Sequence, residues 1–342
     1  MPMKPGKLPN DALSKMLARL PGGDPRVIVG PGVGEDAAVI EWGDRLLVAK
    51  TDPITFASDL IGWYAVHVNA NDIAVMGGEP RWFMATLLLP ENLSEKDVSE
   101  IMDQIAEAAR QLDVTVVGGH TEITLGLDRP IVVGCMLGET TRERLVTSAG
   151  ASPGDTLILG GHAAIEGTAL LAREAAEALL AAGIGADALA QARGLLLSPG
   201  ISVVAAARAA VEAGGVTALH DPTEGGLATG IRELATASGV GMEVRGDDIA
   251  VLPVTRTICD ALSLDLLGVI SSGALLVAAR PEAAERIVSA IRGEGSVAHV
   301  IGVVTAPEDG LWLRRGPRRR PLPEFARDEV ARFLEREEPG VP

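Results

Sequence analysis

NANDIAVMGG, Asn69 to Gly78, closes a longer stretch, LIGWYAVHVNANDIAVM from Leu60 to Met76, that is apolar on nearly every side. That pattern reads as a long, mostly buried helix ended by Gly77-Gly78. Asn71 and Asp72 interrupt it, flanked by Val68, Ala70, Ile73 and Val75. Burying an amide and a carboxylate there is costly unless a cation or a strong partner compensates. The stretch therefore predicts a core helix that carries function inward, not a solvated face.

Three more acidic spots share this character: GPGVGEDAAVI (Gly30–Ile40), KTDP (Lys50–Pro53) and GGHTEIT (Gly118–Thr124). In each, carboxylates or amides adjoin glycine or a hydroxyl, beside a run apolar enough to be buried. One such spot is noise, but four point to carboxylates converging on a metal–phosphate site. Taken alone, GPGVGEDAAVI reads either as an ordinary loop or as a phosphate contact, since glycine lets backbone N–H groups approach phosphate oxygens. It is neither a P-loop nor a dinucleotide fingerprint, because GxxxxGK[ST] is absent and no third glycine opens a helix.

HDPTEGGLA places His220, Asp221, Thr223 and Glu224 at a strand-to-helix turn backed by Gly225 and Gly226. The turn reads as a helix-end anion site, as a helix N-capped by Asp221 or Thr223, or as both. LGGHAAIEG, Leu159 to Gly167, is a second, weaker turn of this kind. His67 and His299 lie in apolar patterns and read as structural. RRGPRRR, Arg314 to Arg320, reads as a solvated linker pairing with acidic neighbours. There is no Cys–His nucleophile pair and no G-x-S-x-G elbow.

The 342 residues carry a net charge of −16 and only 3% aromatics. Such a chain repels phosphate backbones and anionic membranes and offers few stacking platforms, which argues against nucleic-acid and membrane partners. No secretory leader is evident, and no uncharged apolar run reaches the roughly 18 residues of a membrane span. Cys135 and Cys259, in apolar surroundings, read as reduced, partly buried thiols, and a cytoplasmic location is expected.

Along the chain, residues 8–20 read as a helix with Asn10 or Asp11 as cap, and RVIVG as a short strand. AAVIEW and RLLVAK form a hairpin about Gly43-Asp44. RWFMATLLLP is a strand, and a helix follows, capped by Ser94 with Asp97 as its N3 acid. VTVVGGHTEIT reads as a strand entering a loop, and RPIVVGCMLGE as another strand. Ala149–Asp155 is small, polar and proline-bearing, so domains of residues 1–150 and 151–342 are expected. The second begins with a strand feeding one long Ala-rich helix, AIEGTALLAREAAEALL, then helices near 185–198 and 198–215. Strand–turn–helix, strand, strand–helix and strand segments follow, then a basic linker and a polar helix. Irregular alternation favours two α/β-layered domains, α+β overall, over one doubly wound sheet.

GEDAAVI, KTDP, NANDIAVMGG, VVGGHTEIT and DPTEGGLA, in that order, resemble the aminoimidazole ribonucleotide synthetase (PurM) superfamily over essentially the whole chain. That superfamily includes the hydrogenase-maturation protein HypE, thiamine-monophosphate kinase and selenophosphate synthetase. The resemblance implies a PurM-like N-terminal domain that pairs its sheet in a homodimer, a PurM-like C-terminal domain, and ATP with Mg2+ as cofactors. Carried across by motif, Asp36, Asp52 and Asp72 are metal ligands. Gly30, Gly32 and Gly34 line the phosphates and Asn71 supports the metal shell, with Lys50, Gly118 and Gly119 also on the cofactor side. Asp221 and Thr223 face the substrate or a metal, and His120, Glu122 and Asp221 are the catalytic candidates. His120 departs from the pattern, since relatives carry an acid directly after the glycine pair.

DPTEGGLAT and SSGALLVA look most HypE-like. HypE dehydrates a carbamoyl group on its own C-terminal cysteine, whereas this sequence ends FLEREEPGVP, so that carrier chemistry is not expected. Nor does ITFASDL match the Glu-Gly-His-Phe-like run of thiamine-phosphate kinases, and no cysteine precedes Cys135 as selenophosphate synthetases require. The resemblance thus implies an ATP-dependent enzyme phosphorylating an oxygen of a small-molecule or carbamoyl-type substrate. Other expectations are a nucleotide-binding scaffold in a maturation complex with a protein partner, a thiamine-monophosphate-kinase-like small-molecule kinase, or a metabolite-binding protein with structural cations.

Overall fold

The computed structural model of the chain describes residues 8, 10–32, 34–55, 57 and 59–337. The chain folds as two compact units. The first comprises Gly22–Pro31 and Asp36–Leu145; the second joins the segment up to Pro21, the residues Gly32, Gly34 and Glu35, and everything from Val146 onward. Helix α1 (Asn10–Leu17) belongs to the second unit, and the caps expected at Asn10 or Asp11 fall on side chains outside those described.

The first unit is a six-stranded sheet under two helices. Its strands are β1 (Val27–Val29), β2 (Ala38–Trp42), β3 (Arg45–Ile54), β4 (Glu79–Leu89), β5 (Thr115–Ile123) and β6 (Ile131–Thr140), in the order β1-β2-β3-β6-β4-β5. All pair antiparallel except β4 with β5. The hairpin about Gly43-Asp44 forms as expected, with Trp42 opposite Arg45. Helix α2 (Ile61–Val75) lies on β3 and β6, and α3 (Glu95–Gln111) covers it. Ser94 and Asp97 close a capping box on α3.

All fifteen residues of α2 are buried, as a helix apolar on every side requires. Its fit against β6 depends on two glycines. A Cβ on Gly134 would lie 2.3 Å from Asn69 Nδ2, and one on Gly138 would lie 2.3 Å from Ile73 Cγ2. On the other side Gly62 lets α3 approach, since its Cβ would meet the Ile101 carbonyl at 2.5 Å.

The expected loop at GGHTEI is strand instead: β5 runs through Gly118–Ile123 as the sheet's outer strand, exposed at every residue. A register shift against β4 falls at Val117, and the glycine pair after it stays in the ladder opposite Met84 and Ala85.

The second unit has seven strands: β7 (Thr156–Gly160), β8 (Val216–His220), β9 (Gly241–Arg245), β10 (Leu275–Ala279), β11 (Ala298–Thr305), β12 (Leu311–Arg315) and β13 (Arg318–Pro321). Their order is β13-β12-β9-β11-β7-β10-β8, antiparallel except β12 with β9. Around them lie α4 (Ile165–Glu174), α5 (Ala176–Ala181), α6 (Ala186–Gly194), α7 (Val204–Ala213), α8 (Gly226–Ser238), α9 (Pro253–Ala261), α10 (Ala284–Gly293) and α11 (Glu329–Glu337). Strand β10 is buried at all five residues, as a strand covered on both faces must be.

Three expectations change here. The Ala-rich helix is two, α4 and α5, broken at Ala175 (φ −116°, ψ 27°) where Arg193 of α6 donates to the Ala172 carbonyl. RRGPRRR is no linker but the β12–β13 hairpin, with Arg319 stacked 4.0 Å over the Trp312 ring and paired to Glu243. His299 is exposed, not a core residue. Residues 186–213 have the length and apolarity of a membrane span, yet they form α6 and α7 with a non-helical Ser198 between them.

His67 is the structural histidine expected, stacked on Trp63 with ring centroids 4.4 Å apart. Burial lowers its pKa from 6.5 to about 4. The folded imidazole therefore stays neutral where the unfolded chain takes a proton, so stability is full above 6.5 and falls as pH drops towards 4. Between pH 7 and pH 4 this group should cost roughly 3 kcal/mol of unfolding free energy. Urea titrations of wild type and His67→Leu check this: the variant should lose less stability on acidification, and equal losses would refute the assignment.

Candidate functional site

The first unit gathers the carboxylates that the sequence singles out. Asp72 projects from α2, Lys50 and Asp52 from β3, and Asp36 from the chain just before β2. Lys50 Nζ lies 3.2 Å from Asp72 Oδ1 and 3.7 Å from Asp52 Oδ2. Asp72 and Asp36 are buried, while Asp52 keeps 38% of its side chain exposed and forms the open side. Burial pushes the Asp72 carboxyl up; Lys50 pulls it down, and the charges of Asp52 and Asp36 push it further up.

One lysine against three carboxylates leaves the cluster two negative charges in excess if all are ionised. Asp72 Oδ2 is buried and has no hydrogen-bond partner among the described residues. A hard divalent cation bound by oxygens fits such a donor set. Asn71 is fully buried in the same turn of α2.

Asn69, which the motif reading passed over, locks the arrangement. Its Nδ2 donates to the Asp52 carbonyl at 3.2 Å and to the Ala65 carbonyl at 2.8 Å, tying α2 to the strand that carries two of the site's charges. The signal was present in the sequence, since Asn69 shares the apolar run of Asn71 and Asp72.

Other candidates lie elsewhere. Asp52 pairs with Gly134, Gly134 with Ala85 and Ala85 with Gly119 across the sheet. Three strand spacings, roughly 14 Å, thus separate the GGH segment from the cluster along the sheet. There His120 Nε2 and Glu122 Oε2 form an exposed pair at 3.1 Å. Gly118 is open to solvent, whereas Gly119 is required by packing, since a Cβ would lie 2.1 Å from the Ala85 carbonyl oxygen. Of the glycine loop, Gly30 follows β1, while Gly32 and Gly34 cluster with the second unit. There Gly34 (φ +87°) comes within Cβ contact distance, 3.3 Å, of the Glu233 carbonyl of α8.

In the second unit, HDPTEGG is the strand-to-helix turn expected. His220 and Asp221 are buried at the end of β8, and His220 Nε2 lies 3.1 Å from Glu233 Oε2 of α8. The Thr223 carbonyl accepts from Gly226 and Ser271. Neither Asp221 nor Thr223 caps the helix, however. The cap position is Gly225 (φ +80°), and its N–H donates to Asp328 Oδ2 at 2.7 Å. A carboxylate of the chain itself therefore occupies the helix-end anion site.

Beside this turn lies Glu166, the second residue of α4, with Oε2 buried and unpartnered among the described residues. Burial pushes its carboxyl up to about 7 against the hydrogen bonds of Ser272, with Asp328 and Glu224 adding repulsion. Asp328 is likewise pushed to about 7, by burial first, against the N–H groups of Gly225 and Val330. Two buried acids that titrate near neutrality are suited to exchange protons there. The weaker turn, LGGHAAIEG, also forms a cavity, about 270 Å3, bounded by Gly161, His162, Ser202 and Gly273.

Two family descriptions match the chain: AIR synthase related protein, N-terminal domain, over residues 34–140, and its C-terminal domain over residues 152–312. The chain is 30% identical to a putative hydrogenase expression/formation protein of Methanocaldococcus jannaschii, covering 83% of this chain and 85% of that one. It is 34% identical to carbamoyl dehydratase HypE of Azotobacter vinelandii, over 80% of this chain and 79% of the relative. Its fold matches a crystal structure of hydrogenase maturation protein HypE in complex with ATP, with a TM-score of 0.70 at 23% identity, covering 92% and 91% of the two chains.

Glu166 gives a pH signature opposite to that of His67. An acid raised from 4.5 to about 7 in the fold holds its proton where the unfolded chain has lost it. Its contribution is therefore full below the unfolded value and is lost as pH rises through 7. Glu166→Gln should keep roughly 3 kcal/mol that wild type loses between pH 5 and pH 8.5. Guanidinium unfolding at both pH values measures this, and parallel pH profiles for the two proteins would rule it out.

Proposed function

The chain belongs to the AIR synthase related protein family, and on that premise we propose that it is a Mg2+- and ATP-dependent enzyme. It activates an oxygen of a small-molecule or carbamoyl-type substrate by phosphoryl transfer. The observation that carries this reading is the buried Asp72 carboxylate, whose Oδ1 pairs with Lys50 while its Oδ2 has no partner among the described residues, with Asp52 and Asp36 beside it. Held by Asp36, Asp52 and Asp72, Mg2+ would supply charge neutralisation for the phosphates, which is most of what phosphoryl transfer asks of a protein. Lys50 keeps the cluster from repelling the nucleotide outright, and Asn69 holds the Asp52 backbone in place. Support comes also from the ATP complex of a HypE of the same fold.

Isothermal titration with ATP and Mg2+ tests the site. Wild type should bind, and Asp72→Ala should weaken binding by about a hundredfold, the size expected when one charged ligand of a buried site is lost. Undiminished binding in the variant would sink the assignment.

A second reading, a nucleotide-binding scaffold in a maturation complex, is favoured by the two cysteines. Burial raises both thiols, Cys259 to about 12, so neither is poised to carry a carbamoyl group. ATP hydrolysis measured against a panel of carboxylates, amides and phosphate esters separates the readings: acceptor-dependent turnover identifies the enzyme, and binding without turnover the scaffold.

We also assign β5 to a homodimer contact. All nine of its residues are exposed, among them Val116, Val117 and Ile123, with Leu125 just beyond at 81%. An open apolar edge of this kind is a pairing surface unless something covers it. Light scattering should give a dimer for wild type and a monomer for Val117→Lys; a monomeric wild type would overturn the assignment.

A further inference from the structure

The second unit has another cavity, about 220 Å3, framed by the exit of β9, the start of α9 and the end of β12. Ile249, Val251, Leu266 and Leu267 line it with the polar backbone and side chain of Gly246 and Asp247, so that its surface is mainly polar, and Arg256 and Arg315 charge its rim. We propose that this cavity is a binding site for a small organic anion bearing a phosphate or carboxylate group, separate from the carboxylate cluster of the first unit.

The argument begins with charge. In a chain with a net charge of −16, five arginines fall on one hairpin, at 314, 315, 318, 319 and 320. Glu243 pairs with Arg314 and Arg319 on one face. On the other face Arg315 stands directly opposite Arg318 across the β12–β13 ladder. Like charges so placed repel. Among the described residues, no ion pair reaches Arg315, Arg318 or Arg256. Arginines on an outer strand guard against edge pairing, which accounts for β13. That role accounts neither for Arg315 on the inner strand nor for Arg256 on a separate helix.

Packing adds a second argument. A Cβ on Gly246 would lie 2.9 Å from both Cγ and Nε of Arg315. The glycine is not needed for an unusual backbone, since its φ is outside the left-handed range. It makes room for the Arg315 stem to lie across the backbone at the cavity's edge. The nearby acids are already engaged: Asp247 accepts from the Gly316 N–H, and Asp248 pairs with Arg245. Asp247 also lines the cavity, so two guanidiniums face one carboxylate and the rim stays net positive. Size completes the case. The cavity lies below the roughly 300 Å3 at which pockets for drug-sized ligands begin, so it suits a ligand of metabolite size.

Phenyl phosphate and benzoate serve as probes, titrated calorimetrically into the full chain with EDTA present so that no metal bridges phosphate to the carboxylate cluster. Saturable binding of either is expected, and which one binds decides between phosphate and carboxylate. Arg256→Gln and Arg315→Gln should each weaken it by about tenfold to a hundredfold, the loss of one charge-assisted hydrogen-bonding partner. Gly246→Ala, which displaces Arg315 without removing a charge, should weaken it too, and Mg2+–ATP titrations of all three should match wild type. Absence of saturable binding by wild type overturns the site. So does binding that the arginine variants leave unchanged, which would mark it as general charge attraction.

Discussion

Helix α2 can touch the sheet only because β6 lacks side chains at Gly134 and Gly138, and the first unit's chemistry depends on that contact. With a methyl group at Gly134 the Asn69 amide would have nowhere to sit. Without that amide the Asp52 carbonyl would lose its tie to the helix. The close approach also desolvates Asp72, and desolvation leads the causes that raise its carboxyl. One steric condition thus sets both the position of the acids and their appetite for positive charge.

Each unit holds a buried carboxyl with an unpartnered oxygen, but the surroundings give them different uses. Asp72 has a lysine at 3.2 Å and an aspartate open to solvent beside it, an arrangement that can admit a cation from one side. Glu166 has hydroxyl and backbone donors from Ser272, and Asp328 and Glu224 repel its charge. It can stay buried by keeping a proton. The low-dielectric penalty is similar in kind, and the neighbours decide whether a metal or a proton relieves it.

Much of this was legible from residues alone. The continuous apolar run of α2 announced its burial, and Asn71-Asp72 within it pointed to the carboxylate cluster. Ser94 and Asp97 placed α3 to the residue. What stayed hidden depended on partners distant in sequence. Gly118-Gly119 looked like the end of a strand because glycine often is one, whereas here the strand runs on and β4 demands Gly119. RRGPRRR looked like a linker because its arginines are solvated; they are, yet Trp312 and Glu243 hold the segment in a sheet. Glu166 and Asp328 stand in unremarkable local sequence. Only tertiary burial, joining residues on α4, the β8–α8 turn and the C-terminal segment, turns them into groups that titrate near neutrality.

The bond from Gly225 to Asp328 also bears on the order of assembly. A helix usually finds its cap within its own first turn. Here the partner lies 103 residues further along the chain. During synthesis, β8 and α8 emerge well before the carboxylate that completes the turn between them. Until Asp328 arrives the turn's donor faces water, so the turn that holds His220 and Asp221 is completed only by a segment made much later.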